Sequence, residues 1–254
     1  MRSRYDVYLN DIALSSLHTD LQVLDISYSA PNVKNVTYSL AKRDGLKLAR
    51  RYVETASVTI SFELHIYDTH KRQTALQDVN QWAAKGGILR TSDRQGQMLR
   101  CVCTNYPTIN SAMRWNDALS ITFTAFSYPY WQSITAATLT LTGTSASDTV
   151  YVDGSADGTY VEAQITANAS LSSVTLTVGS YSITLSGLNI PANGVIRLTY
   201  DSDMIQSIVY GEASLLDKRT GADDLIAECN AYNTMSVTAS ASVTCVFTAR
   251  GAWL

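Results

Sequence analysis

The sequence has few of the residues from which catalytic and metal centres are usually built. Its 254 residues include three histidines, four cysteines and four prolines, and only 16% of them are charged. It contains no Gly-x-Ser-x-Gly elbow, no Walker loop and no dinucleotide-type glycine loop. These absences argue against nucleotide binding and against the common hydrolase centres, so we expect no enzyme activity and no cofactor.

Long apolar runs are missing as well. The first ten residues contain no apolar stretch like that of a signal peptide, and no segment approaches membrane-spanning length. We therefore expect neither a cleaved signal nor insertion into a membrane. The four cysteines lack C-x-x-C spacing, which favours buried free thiols in a reducing compartment, while a bridge between Cys229 and Cys245 stays open as an alternative.

The charges that are present are unevenly distributed. Residues 1–132 contain 15 Lys and Arg against 11 Asp and Glu, a formal charge of +4, whereas residues 133–254 contain 4 against 11, a charge of −7. A shift to a Ser/Thr-rich, acidic composition near Tyr128–Ile134 predicts two domains, 1–132 and 133–254, with different partners. A charge of +4 is modest for a nucleic-acid-binding domain, so we expect no direct nucleic-acid binding.

The first domain shows a clear order of elements. A strictly alternating segment predicts a strand with one buried side, and the next segment has apolar residues at helical spacing. Two short apolar runs around a polar turn then predict a hairpin, and a second alternating segment predicts a strand. These segments are Ser57–Asp68, Thr69–Lys85 with Asp68 or Thr69 as N-cap and Gly86 at its end, Gly86–Cys103 with its turn at Ser92–Gly96, and Leu119–Ala125.

Six local patterns in this order carry a resemblance to a known family. They are the Tyr8-Leu-Asn-Asp-Ile12 turn, the Gly45-Leu46 and Arg50-Arg51 region, the alternating strand, the helix with Trp82, the Gly-Gly-x-Leu-x-x-Ser-Asp-Arg hairpin from Gly86, and the Pro129-Tyr-Trp131 junction. Together they make roughly the first half of the chain similar to the distal tail proteins of bacteriophages with long, non-contractile tails.

The resemblance implies a structural role in the virion. It implies an α+β N-terminal domain, a β-sandwich or split-barrel-like unit with one helix and a hairpin, that forms a ring of six copies. The ring would join the tail tube protein to tail-tip proteins, and with them to a receptor-binding protein, at the phage tail tip after assembly in the host cytoplasm. It also implies a galectin-like or carbohydrate-binding-like second domain.

The second domain independently favours a β-sandwich, because its strand candidates are short and closely spaced. In one hairpin, Gly179-Ser180 forms a two-residue type II′ turn that pairs Val178 with Tyr181. The strand candidates are Thr138–Leu141, Thr149–Val152, Thr159–Ile165, Ser173–Val178, Tyr181–Leu185, Val195–Tyr200, Ile205–Tyr210 and Met235–Ala249.

Two sets of side chains are candidates for contacts. Arginine suits polar interfaces better than lysine, so we expect subunit contacts at Arg50, Arg51, Arg90 and Arg94. Among the tyrosines of the second domain, Tyr151, Tyr160 and Tyr200 are candidates for stacking on a glycan. The alternative function is therefore a carbohydrate-binding β-sandwich protein that acts in cell-surface recognition.

Three further patterns suggest chemistry, and each has a simpler explanation. Asp153–Gly158 begins like a calcium loop, but the twelfth position is the neutral Gln164, so a polar turn is favoured. His65 and His70 flank Asp68 but fall on different elements, so we expect no metal site. A glycosidase pair among the acidic residues of the second domain is a distant third hypothesis, after the structural hub and the carbohydrate-binding protein, because such residues more often lie in solvated loops; they are Asp201, Asp203, Asp217, Asp223, Asp224 and Glu228.

Overall fold

The structure is a computed structural model, and strands dominate it. It divides into two compact units, one of residues 1–131 with Leu254 and the other of residues 132–253. The expected mainly-β, two-domain fold is confirmed. The structure describes residues 5–29, 33–39, 46–108, 117–126, 128–201 and 204–254, with the backbone alone for 33, 39 and 46–53.

The first unit is built around one antiparallel sheet with the strand order β2-β1-β7-β8-β9-β6-β3. In the described part of the chain one α-helix accompanies it, and no helix there has the length and apolar character to cross a bilayer. The elements are β1 Val7–Leu9, β2 Ile12–Ala13, a 3₁₀ turn Leu14–Ser16, β3 Leu21–Ser29, β4 Val33–Ser39, β5 Leu46–Val53, β6 Ser57–Leu64, α1 Thr69–Ala84, β7 Gly87–Thr91, β8 Gln97–Asn105, β9 Leu119–Ala125 and β10 Trp131–Ser133.

The helix α1 forms where the spacing of apolar residues predicts it. The Asp68 carboxylate accepts hydrogen bonds from the backbone N–H groups of His70 and Lys71, which satisfies two of the unpaired donors at the helix start. The buried side includes Trp82, whose ring meets that of Phe123 edge to face at 5.8 Å. Burial of this side against the sheet stabilises the helix, because isolated helices of this length are marginal in water.

The strands β4 and β5 stand apart from this sheet. Among the described residues they pair with each other and with no other strand, in a two-stranded antiparallel ribbon with a register shift between Val36 and Thr37. Every side chain from Lys34 to Tyr38 is exposed. A two-stranded ribbon is at best marginally stable alone in water, so this one needs support from packing against another surface.

The second unit contains one large sheet around a single buried core. Its order is β17-β16-β15-β12-β20-β13-β14-β18, with β11 also paired to β20 and β19 to β12. The elements are β11 Ala137–Val152, β12 Gly158–Ala167, β13 Leu171–Val178, β14 Tyr181–Ile190, β15 Val195–Tyr200, β16 Gln206–Tyr210, β17 Ala213–Ser214, a 3₁₀ turn Leu216–Lys218, β18 Arg219–Gly221, β19 Ile226–Glu228, β20 Ala231–Ala249 and β21 Ala252–Trp253.

One prediction for this unit is wrong. Thr138–Leu141 and Thr149–Val152 are not separate strands but the two ends of β11. Both ends pair with β20, so the residues between them continue the ladder except for a register shift between Gly143 and Ser145, where the partner on β20 changes from Val243 to Thr238. At such an irregularity a long strand can bend from one layer of a sandwich to the other. In the sequence, the two halves of such a strand look like two short strands separated by a loop.

The hairpin between β13 and β14 has the predicted register. Val178 pairs with Tyr181, Leu176 with Ile183 and Val174 with Leu185. Gly179 has a φ of +55°, as the first central residue of a type II′ turn requires. Of these six side chains only that of Tyr181, directly after the turn, is exposed, so the other five belong to the core.

Candidate assembly and ligand surfaces

Arg94 lies at the turn between β7 and β8 and has partners within its own chain. Its guanidinium carbon is 4.3 Å from the centroid of the Tyr28 ring and 5.0 Å from that of the Trp131 ring. The Tyr28 hydroxyl donates a 2.6 Å hydrogen bond to the Asp93 carboxylate, and burial raises the pKa of this phenol. Through these contacts the turn of the β7–β8 hairpin packs against Tyr28 of β3, and this packing orients the turn.

Arg90 also has an in-chain partner, in the turn between β1 and β2. Its guanidinium forms an ion pair with the Asp11 carboxylate. The neighbouring Asn10 has a φ of +50° and its side chain bonds both to the Ile88 N–H at 3.0 Å and to the Gly86 carbonyl at 2.8 Å. The Asn-Asp turn and the Gly-Gly hairpin, both part of the family resemblance, are thus in contact.

The other two predicted interface arginines lie on the ribbon. Arg51 pairs with Asn35 and Arg50 with Val36 across β4 and β5, while their side chains are outside the described residues. The four arginines therefore fall on two different structures, the ribbon and the β7–β8 hairpin. Whether they contact a neighbouring subunit stays a prediction.

The three predicted glycan-contacting tyrosines separate into two places. The rings of Tyr160 and Tyr200 lie 4.7 Å apart, next to the loop that follows β18. The Tyr200 hydroxyl accepts hydrogen bonds from Gln206 Nε2 at 3.1 Å and from the Leu225 N–H at 3.3 Å, and it bonds to the Asp224 carboxylate. This pair is half-buried and serves to hold the loop.

Burial disfavours ionisation of both the Tyr200 hydroxyl and the Asp224 carboxyl group. It raises the pKa of Tyr200 to about 12, and desolvation likewise raises the pKa of Asp224 despite the hydrogen bond from Tyr200. Arg219, at the start of β18, donates to the Gln206 side chain at 2.7 Å and to Asp223 at 3.0 Å. The arrangement is a satisfied polar network that links β15, β16 and the loop.

Tyr151 lies elsewhere, directly opposite Tyr232 on β11 and β20. The two ring centroids are 5.2 Å apart, with 41% of Tyr151 and 77% of Tyr232 exposed. The Tyr151 hydroxyl donates a 2.6 Å hydrogen bond to Asn230 Oδ1, which orients its ring. Sequence reasoning missed Tyr232 as a site residue, because the strand pairing that brings it to Tyr151 leaves no local signal.

The remaining candidate motifs have structural explanations. The loop Asp153–Gly158 joins two strands, and the Asp153 carboxylate accepts from the Gly154 N–H at 2.8 Å. His65 pairs with Glu63 at 3.3 Å, while Asp68 caps the helix. Within the described ranges no three His, Cys, Asp or Glu side chains converge as metal ligands would.

All four cysteines fall within the described residues and are free thiols. Cys101 and Cys245 are buried, and burial raises the pKa of each thiol to about 12. Cys103 and Cys229 are half-buried, so the expectation of burial holds fully for only two of the four. The alternative bridge between Cys229 and Cys245 is absent.

The sequence matches no known protein family and no curated protein. The structure, however, is similar to the crystal structure of the Dit protein of phage SPP1, with a TM-score of 0.71 over 97% of this chain and 98% of that chain at 12% identity. That protein is described as a paradigm of the hub adsorption apparatus in phages that infect Gram-positive bacteria. The chain has the fold of a phage distal tail protein.

The distal tail fold extends to more distant structures. Chains of the phage P2 baseplate in its activated conformation, with calcium and with strontium, align with a TM-score of 0.50 over 97% of both chains at 8% and 9% identity. The similarity therefore covers both units, whereas the sequence resemblance rested on the first half alone. At these identities it establishes the fold.

Proposed function

We propose that the protein is the structural hub at the end of a long, non-contractile phage tail. The observation that carries this proposal is the similarity to the SPP1 Dit fold over nearly the whole of both chains. In this role the first unit forms a six-membered ring that joins the tail tube protein to a tail-tip protein. The second unit contacts the host-adsorption proteins, and neither unit is catalytic.

The ribbon of β4 and β5 supports ring formation. A closed ring requires two different patches on each subunit that meet across a heterologous interface. The ribbon lies outside the main sheet, and Val36 and Tyr38 are each 46% exposed on it. If the ribbon packs on the neighbouring copy, near that copy's β7–β8 hairpin and sheet edge, Val36 and Tyr38 become buried. The ribbon then gains the support that an isolated ribbon lacks.

An interface of this kind must be extensive to hold without covalent links. We expect each contact to bury on the order of 1,000 Å² or more. Arginines are favoured in such interfaces because their planar guanidinium groups make several hydrogen bonds at once. Arg50 and Arg51 on the ribbon are therefore proposed to contact the next subunit, with Arg90 and Arg94 shaping the hairpin that receives it.

The test is the oligomeric state of the purified protein, by native mass spectrometry and negative-stain imaging. We expect rings of six copies that bind the tail tube protein at one side and a tail-tip protein at the other. The double variant Val36→Asp and Tyr38→Asp should give folded monomers, because it places charge in the proposed interface. The matched control Tyr232→Asp changes an exposed tyrosine of the second unit and should leave the rings intact.

Two outcomes would count against the proposal. One is a wild-type protein that stays monomeric at high concentration and does not join tail components. The other is a ribbon variant that assembles rings as well as the control does, which would place the interface elsewhere.

A further inference from the structure

Hydroxyl side chains cover the outward side of the sheet in the second unit. Cross-strand pairing aligns one row of them across five strands, in the order Ser145, Thr238, Thr175, Thr184 and Thr220. The adjacent row, from Ser147 on β11 to Ser182 on β14, also consists only of serine and threonine. The residues between the rows, such as Val237 and Leu176, point inward and are buried.

The spacing of these hydroxyl groups is regular. Neighbouring strands in a sheet are about 4.8 Å apart and alternate residues about 7 Å apart. Within the rows Thr175 Oγ1 lies 2.9 Å from Thr184 Oγ1, and Thr177 Oγ1 lies 3.2 Å from Ser182 Oγ. The outer strand β11 keeps its hydroxyl side chains exposed, as Ser145, Ser147 and Thr149 all are.

The tyrosine pair lies on the same side of the same two strands. Along β11 and β20, successive outward pairs are Tyr151 with Tyr232, Thr149 with Thr234, Ser147 with Ser236, and Ser145 with Thr238. These four pairs span about 20 Å, from the tyrosine pair to the hydroxyl rows. We call this strip of eight residues the Tyr–hydroxyl strip.

The chemistry of the strip suits one class of ligand. Tyrosine rings present flat apolar surfaces, and each hydroxyl group both donates and accepts hydrogen bonds. Protein interfaces, by contrast, are depleted of serine, and serine and threonine seldom act as energetic anchors. The strip contains no charged side chain, and residues 133–254 carry a formal charge of −7, so a polyanionic ligand is disfavoured.

We propose that the Tyr–hydroxyl strip binds a neutral polysaccharide chain. A sugar ring stacks on the more exposed Tyr232, and Tyr151, whose ring is tilted 57° to that of Tyr232, contacts the edge of the same sugar. The following sugars exchange hydrogen bonds with the paired hydroxyls of β11 and β20. Tyr151 is oriented in advance by its bond to Asn230, which lowers the entropy cost of binding. The site is distinct from the half-buried pair of Tyr160 and Tyr200, and it does not depend on ring formation.

The experiment titrates the full-length protein with neutral linear hexasaccharides by calorimetry. The probes are β-1,4-glucan, β-1,3-glucan, α-1,6-glucan and β-1,4-N-acetylglucosamine oligomers, with polyglycerol phosphate as the anionic comparison. We expect at least one neutral probe to bind and the polyanion not to bind. Tyr232→Ala should weaken binding about tenfold or more, whereas Tyr181→Ala, another exposed tyrosine, should leave it unchanged.

A second variant distinguishes a glycan from a protein partner. Thr149→Val with Thr234→Val keeps the shape and strand preference of both side chains but removes their hydroxyls. Glycan binding should weaken about threefold or more, because the sugar loses hydrogen-bond partners. The proposal is overturned if no neutral probe binds at millimolar concentration, if the Tyr232 variant binds as well as wild type, or if the strip instead captures a tail protein and tolerates both valines. Ring assembly is measured separately, so its failure would not affect this result.

Discussion

The guanidinium carbon of Arg94 lies 4.3 Å from the centroid of the Tyr28 ring, in the same subunit. Trp131 lies on the same cation at 5.0 Å, and its ring meets Tyr28 edge to face at 5.7 Å. Three segments that are distant in the sequence, β3, the hairpin turn and the end of the first unit, are thereby joined. Arg94 has a structural role within the subunit, whatever it contacts in an assembly.

Replacing this arginine should lower the stability of the first unit. We expect Arg94→Ala to reduce the free energy of unfolding by about 1–2 kcal/mol, through loss of the cation–π contacts and of side-chain packing. The free energy of unfolding of Arg94→Lys should lie between those of the wild type and Arg94→Ala, since lysine keeps the charge but not the planar stacking. Urea denaturation measures both. Arg197→Ala, at an exposed position on β15, should change stability by less than about 0.5 kcal/mol, and equal effects of the two alanine variants would refute the structural role.

Gly154 is required where the loop between β11 and β12 approaches the end of the chain. Its φ is +139°, and a Cβ atom there would lie 2.2 Å from the Ala252 carbonyl oxygen. We expect Gly154→Ala to cost more than about 2 kcal/mol of stability, from backbone strain and this clash together. Gly211→Ala is the matched control, because its φ of +61° is also positive but the space around it is open.

For the control we expect a cost of only about 1–2 kcal/mol, the strain of a left-handed backbone alone. The melting temperatures of the two variants provide the comparison. If Gly154→Ala melts at or above the temperature of Gly211→Ala, the close approach to Ala252 is not a constraint on the fold.

The half-buried carboxyl group of Asp224 should make stability depend on pH. Its pKa in the folded protein is raised by desolvation above the unfolded value near 3.8, so the folded state binds the proton more tightly. Stability is therefore fully present below the unfolded pKa and decreases as the pH rises through the folded pKa. Asp224→Asn cannot ionise, so it should be more stable than wild type at pH 7, with no advantage at pH 3.

Urea denaturation at both pH values tests this expectation. The amide of the variant can still accept the hydrogen bond from Tyr200, so the network around the loop is preserved. Asp157→Asn serves as the control at an exposed carboxylate. A variant that is less stable than wild type at pH 7 would mean that the ionised carboxylate stabilises the loop.

Local elements were largely predictable because their signals are contained in short segments. The helix Thr69–Ala84 follows from apolar spacing and the Asp68 cap, and the register of the hairpin around Gly179 follows from a two-residue turn. The order of elements in the first half was also sufficient to predict the distal tail fold, although only the structure extended it to the second unit.

Long-range partners were not predictable in this way. Alternation along a strand determines which side of a sheet each residue occupies, but not which strand lies beside it. Thus the amino-acid sequence by itself determined the helix, the strands with clear alternation and their buried sides. Only the tertiary structure decided that Tyr28 meets Asp93 across 65 residues, that β11 continues past its register shift, and that Tyr151 faces Tyr232, because strand pairing is selected by burial over the whole sheet.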